Sequence, residues 1–210
     1  MKLLLFGSTG LVGRHALELA LEHPAIDTVT APVRRDSPIQ HRKLFAPLVD
    51  FDALPGNAPW WHADAVICAL GTTMRIAGSE QAFRRVDHDY PLALARLARE
   101  HGTRVFVLNS ALGADAGSRF FYNRVKGELE RDLGGLGFDS LALVRPGLIG
   151  GQRDEFRFGE RVAMSVLGTL GPLLPRRWRI NPADRIAARM IEAAVSPLPG
   201  THVVASDRLT

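Results

Sequence analysis

The stretch that most constrains this chain is its first thirteen residues, MKLLLFGSTGLVG. Leu3, Leu4, Leu5 and Phe6 form an apolar run that is too short to span a membrane and suits a buried parallel strand. Gly7, Gly10 and Gly13 follow at the spacing G-x-x-G-x-x-G. Leu11, Val12, Ala16, Leu17, Leu19 and Ala20 then recur on a helical period. The order is strand, glycine turn, helix. Glycine lets the backbone turn sharply and approach a ligand with no Cβ in the way. A helix N-terminus presents free N–H groups and the positive end of its dipole to a pyrophosphate. A glycine pattern in that setting predicts dinucleotide binding.

The rest of the chain continues the alternation. Residues 26–34 (IDTVTAPVR) read as a second strand, and residues 43–49 (KLFAPLV) as a weaker third one, pushed to a sheet edge by Pro47. AVICAL at 65–70 reads as a central fourth strand, RVFVLN at 104–109 as the fifth and SLALVR at 140–145 as the sixth. Residues 71–78 read as a loop. A helix over 80–101 is expected, capped near Ser79, ended by Gly102, and kinked or divided at Pro91. Another is expected over 118–133. The last sixty residues are predicted to hold a turn at Asn181-Pro182, a helix through Val195 and a strand near 202–205. The predicted class is therefore α/β, a single-domain Rossmann fold over 1–210. Its doubly wound, mainly parallel sheet takes the order 3-2-1-4-5-6, and 151–182 forms a lid or substrate segment.

Composition narrows the function classes. Hydrophobic residues are 46% and charged residues 23% of the 210, as in an ordinary globular domain, and no apolar run is long enough to cross a bilayer. The N-terminus does not read as a signal peptide. The lone Cys68 forms no internal disulfide, sits in an apolar run and reads as a buried hydrophobe, which leads to the expectation of a cytoplasmic protein. Net charge is +4, with the basic side chains interspersed among acids, so no nucleic-acid partner and no membrane partner is expected. The histidines have no metal-ligand spacing, so no metal is expected.

The end of the second strand is where a Rossmann protein reads its cofactor: a carboxylate there suits the ribose hydroxyl of NAD, an arginine the 2′-phosphate of NADP. Arg34 and Arg35 stand there, against Asp36, and predict NADP(H) in preference to NAD(H). Tyr122 and Lys126 are four residues apart and share a helix face. A nearby ammonium favours a phenolate over its usual pKa near ~10, which suits proton transfer. Ser110 lies just after the fifth strand, where its hydroxyl can bond a substrate carbonyl or hydroxyl. His88 reads as a solvated or packing residue, and Phe120 and Phe121 as helix-core contacts or substrate neighbours. Arg153, Arg157, Arg161, Arg176, Arg177 and Arg179, with Phe156, Phe158 and Trp178, suit either a solvated basic face or a pocket for an anionic or aromatic substrate. The apolar stretch 166–175 belongs to the core or pairs with a second copy, leaving a homo-oligomer open.

The stretches FGSTGLVG, VRR, VDF (49–51), CALGTT (68–73), FRRVDHDYPLALARLA (83–98), NSALGAD (109–115), YNRVKGELE (122–130) and VRPGLIGG (144–151) together resemble the atypical short-chain dehydrogenases/reductases. The likeness is strongest to the Tat-interacting-protein-like NAD(P)-binding oxidoreductases. It implies catalytic Ser110, Tyr122 and Lys126, with Tyr122 and Lys126 also near the cofactor. It implies a cofactor cradle at Gly7, Ser8, Thr9, Gly10, Leu11, Val12 and Gly13, with Arg34 and Arg35 at its phosphate end and Asp50 and Phe51 beside the adenine. Leu70, Gly71 and Thr72 would line the nucleotide, and Pro146, Gly147 and Leu148 would face the nicotinamide. The expected function is hydride transfer between NADPH and a small carbonyl or hydroxyl substrate. The alternative is an NADPH-binding regulator or scaffold, or epimerase- or dehydratase-like chemistry.

Overall fold

The computed structural model describes residues 1–36, 38–150 and 180–210. Strand β1 (Lys2–Phe6) leads through the glycine turn into helix α1 (Leu11–Glu22). Next come β2 (Thr28–Thr30), β3 (Leu44–Phe45) and β4 (Ala65–Cys68). Three helical pieces follow: α2 (Met74–Ala77), α3 (Glu80–Arg84) and α4 (Tyr90–Glu100), the last two joined by a π-helical turn over Arg85–Asp89. The second half runs β5 (Val105–Asn109), α5 (Phe121–Gly134), β6 (Ser140–Arg145), β7 (Ile149–Gly150), β8 (Asn181–Pro182), α6 (Ala183–Val195) and β9 (Gly200–Ala205).

Seven parallel strands form one sheet in the order β3-β2-β1-β4-β5-β6-β9. The expected 3-2-1-4-5-6 order is present, with β9 added beyond the sixth strand. Period-two alternation along β1 sends Leu3 and Leu5 to one face and Leu4 and Phe6 to the other. Leu3 and Leu5 pack with Ala16 and Leu17 of α1 and Ile186 and Met190 of α6. Leu4 and Phe6 pack with Leu94 and Ala98 of α4, Leu129 and Leu133 of α5, and the buried Trp61. Both faces are covered, which explains why the central strands read as unbroken apolar runs.

Several local expectations are corrected. The second strand is three residues long rather than nine, because the chain reaches Pro32, which has no N–H to give to the ladder. Val33 keeps one isolated bridge to Leu48. The third strand shrinks to two residues at the sheet edge. Residues 71–78 are not all loop: Thr73 Oγ1 accepts the Ile76 N–H at 3.2 Å and caps α2. Pro91 does not sit at a kink in mid-helix. It lies in the first turn of α4, where its missing N–H costs nothing, and the break falls earlier, at the π-helical turn. Ser79 does cap α3, accepting the Ala82 N–H at 3.1 Å. Helix α5 starts at Phe121 rather than 118. Asn181-Pro182 is a short strand paired with Ile149–Gly150, not a turn. The lid reading of 151–182, its arginine and aromatic cluster and the apolar stretch 166–175 fall almost wholly outside the described residues.

Candidate active site

The glycine turn is fixed by close backbone contact. Gly7 has φ +85°, and a Cβ there would lie 2.6 Å from the Ala69 carbonyl carbon. A Cβ on Gly13 would lie 2.0 Å from the Gly7 carbonyl oxygen. The turn is thereby pressed against β4 and the first turn of α1. Gly10 is different: its Cβ would meet only the Gly7 oxygen, at 3.3 Å, and its open side faces a cavity. Helix α1 has no side-chain cap and no acidic residue in its first turn, so its leading N–H groups and positive dipole end remain open to an anion.

Two adjoining cavities meet at this turn, sharing Gly10, Arg34, Ala69, Leu70, Gly71 and Val86. The smaller, about 180 Å³, is walled by Gly7, Ser8, Thr9, Phe51 and Tyr90. The larger, about 690 Å³, is reached by Leu11, Val12, Thr72, Ser110, Tyr122 and Lys126. The first helix turn, the β4 loop and the Ser-Tyr-Lys set therefore line one continuous space. Arg34 borders both cavities; Arg35 is exposed and borders neither. Asp50 also stays outside both, where its Oδ1 accepts the Asp52 N–H at 2.9 Å. Pro146, Gly147 and Leu148 stand off the cavity walls, and Ile149 reaches the larger one instead. The Gly147 N–H donates to Asn181 Oδ1 at 2.7 Å, and the Leu148 carbonyl accepts the Asn181 N–H at 2.8 Å.

Tyr122, Lys126 and Glu130 lie at i, i+4 and i+8 along α5. The helix can bury Lys126 and Glu130 because Gly127 lets its backbone press against the preceding loop; a Cβ at Gly127 would lie 2.2 Å from Ala116 N. Lys126 Nζ lies 2.7 Å from Asp87 Oδ1, with both side chains buried. Asp87 Oδ2 accepts the Thr72 N–H at 2.7 Å, tying the β4 loop to the lysine. Burial alone would pull the Lys126 ammonium down, but the Asp87 carboxylate and then the Tyr122 phenol hold it above the ordinary lysine range. The ammonium is thus fixed as a charge beneath Tyr122, and its nearest ionic partner is a carboxylate that sequence reading missed. Asp87 was legible only as one of the two acids in VDHDY; the π-helical turn is what turns it inward.

Ser110 is buried, and its hydroxyl donates to Glu130 Oε1 at 2.5 Å. Arg145, the last residue of β6, donates through Nε to the same oxygen at 2.9 Å and pairs with the other carboxylate oxygen. Asn109 Oδ1 lies buried on the larger cavity's wall with no hydrogen-bond partner among the described residues. His88 is buried between Asp89 Oδ1 (2.8 Å) and Asp132 Oδ2 (3.1 Å), so it packs rather than facing solvent. Phe121 packs edge-on to Phe83, whereas Phe120 is exposed. Cys68 is buried, which pushes its thiol up to about 12. Among the described residues, no group of three or more His, Cys, Asp or Glu side chains is placed to hold a metal ion, and no helix is long and apolar enough to cross a membrane.

Fold and site together define a protein of the single-domain Rossmann class. MoeE5, solved with UDP-glucose and NAD, is 16% identical and superposes with a TM-score of 0.73 over 97% of this chain and 75% of its own. The UDP-glucuronic acid 4-epimerase from Bacillus cereus, solved with NAD, gives 12%, 0.72, 98% and 78%. At those identities the likeness is one of fold. The chain belongs to the Fmp52 protein family: it is 35% identical to the mitochondrial protein Fmp52 of Emericella nidulans over 215 residues, covering 98% of this chain and 92% of that one. The Aspergillus fumigatus relative, also named a mitochondrial protein, is 36% identical over 217 residues with the same coverage. No family model matches the chain. The expectation of a cytoplasmic protein is corrected by these names. A lone buried cysteine and the lack of a long apolar run suit an organelle interior as well as a cytosol, so neither could decide the matter.

Proposed function

We propose that this protein is an NADPH-binding oxidoreductase that transfers hydride between the cofactor and a small carbonyl or hydroxyl compound. The observation that carries the reading is the continuous cavity, with the uncapped α1 N-terminus at one end and Ser110, Tyr122 and Lys126 at the other. A dinucleotide fits the donor set: open N–H groups for its pyrophosphate, an arginine bordering the space, and a buried acceptor, Asn109 Oδ1, in want of a donor. Arg34 supports NADPH over NADH, since a guanidinium forks well onto a phosphate. When bound, the nicotinamide supplies or receives the hydride.

The chain's own groups handle orientation and the proton. Tyr122, half-exposed at the cavity wall, gives its phenolic proton to the substrate oxygen in reduction and takes it back in oxidation. Lys126 stays charged one helical turn further along the same face of α5. Asp87 keeps that ammonium in place. Ser110 orients the substrate oxygen. The test is oxidation of NADPH across a panel of aldehydes and ketones, comparing wild type with Tyr122→Phe. At least one carbonyl is expected to turn over, with a loss of ~100-fold or more in the variant, the scale of general-acid catalysis. Equal rates for wild type and variant on every responding carbonyl would defeat the reading.

A further inference from the structure

We infer that Glu130, with Arg145 as its counter-charge, is a positioning residue for Ser110 and sets which way that hydroxyl points. The inference rests on the oxidoreductase reading of the site. Glu130 stands two helical turns after Tyr122 and one after Lys126, so one face of α5 carries the phenol, the ammonium and then a carboxylate. Its carboxylate is buried, yet it contacts neither Lys126 nor Asp87 among the described hydrogen bonds and ion pairs. It faces Ser110 on one side and Arg145 on the other.

A serine hydroxyl has one proton and two lone pairs. Here the proton is committed to Glu130 Oε1. The oxygen therefore meets the cavity as an acceptor, ready for a substrate O–H. To donate to a carbonyl oxygen, Ser110 must rotate its proton away from Glu130. A lone buried carboxylate would resist that loss of its donor. Glu130 does not stand alone, because Arg145 contacts both its oxygens and stays with it after Ser110 turns. The Glu130 hydrogen bonds, against partial burial, hold Arg145 above the ordinary guanidinium range, so the counter-charge is permanent. The carboxylate thus fixes the hydroxyl's resting direction, and the arginine keeps the exchange of partners inexpensive. The same arrangement favours substrates that place a hydroxyl at or beside the reacting carbon, which the resting Ser110 can accept from without turning.

Two measurements on the full-length protein test this. In the NADPH-linked assay, Glu130→Ala should lower kcat by ~30-fold while the KM for NADPH moves by less than ~3-fold, the pattern of a group acting on the reacting end alone. Glu130→Gln, which keeps an oxygen acceptor for Ser110, should recover most of that loss. Ser110→Ala/Glu130→Ala should be no slower than Ser110→Ala, since groups acting as one unit are not additive. A double variant slower than Ser110→Ala by the full Glu130→Ala factor would overturn the inference. The second measurement needs no turnover: proton NMR of the Ser110 hydroxyl. A slowly exchanging resonance is expected in wild type and in Glu130→Gln, and its exchange should be at least ~10-fold faster in Glu130→Ala, where the acceptor is gone. Unchanged exchange in Glu130→Ala would also overturn it. If wild type turned over no carbonyl or alcohol at all, the oxidoreductase reading would fall while the hydroxyl exchange still decided whether Glu130 holds Ser110.

Discussion

Lys126 and Asp87 show how much one buried contact carries. Each is a charge that would be costly to bury alone, and each is tolerable because the other lies 2.7 Å away. Lys126→Met is therefore expected to destabilise the protein by ~3 kcal/mol, because it strands a buried carboxylate, and Asp87→Asn/Lys126→Met to recover part of that loss; urea unfolding measures both. Cys68 gives a prediction in pH. Burial favours its neutral thiol, so its folded pKa of about 12 lies above the ordinary thiol value of 9.0. Below pH 9 both states hold the proton and stability is unaffected. Above it the unfolded thiol ionises first, so Cys68 draws stability down by up to ~1.4 kcal/mol per pH unit until the folded thiol also ionises. Replacing Cys68 with Ala should flatten that alkaline fall. A thiol reagent at pH 8 should label the unfolded chain and spare the folded one.

At the scale of elements, the three opening glycines divide into two kinds. Gly13→Ala drives a Cβ to 2.0 Å from a backbone oxygen and should cost ~3 kcal/mol, with a visibly lower Tm. Gly10→Ala makes one tight contact, 3.3 Å from the Gly7 oxygen, but has ordinary backbone geometry (φ −80°), so a shift of a few tenths of an ångström accommodates it and the loss of stability should stay within ~1 kcal/mol. Its methyl group enters the cavity, and NADPH affinity should fall instead. Unfolding curves beside cofactor titrations separate the two effects. The sequence made this turn legible, since strand, glycines and helix adjoin in the chain. Tyr122 and Lys126 were legible for the same local reason, sharing a helix face. Glu130 was equally visible at the next turn, but its meaning needed Ser110, just past β5, and Arg145, at the end of β6. Asp87 needed the π-helical turn, which no periodicity in VDHDY announces. The short second and third strands were over-read because apolar and β-branched composition extends past Pro32 and Pro47, where regular strand pairing gives way to the isolated Val33–Leu48 bridge.

Across the whole molecule, the sheet places both ends of the cavity. The glycine turn follows β1 and Ser110 follows β5, with β4 between them, so the turn and the Ser110, Tyr122 and Lys126 set lie over the carboxyl edge of three neighbouring strands. Arg34, past β2, closes the outer end. One continuous cavity joins these parts, and the proposed function fills it with NADPH. The most direct measurement is a fluorescence titration of NADPH and NADH against wild type and Arg34→Ala. Wild type is expected to bind NADPH at least ~10-fold more tightly than NADH, about 1.4 kcal/mol, with Arg34→Ala losing most of that preference and leaving NADH affinity nearly unchanged. Failure of wild type to bind either nucleotide would contradict a dinucleotide site in this cavity, and equal affinities for the two would contradict the assignment of Arg34 to the phosphate.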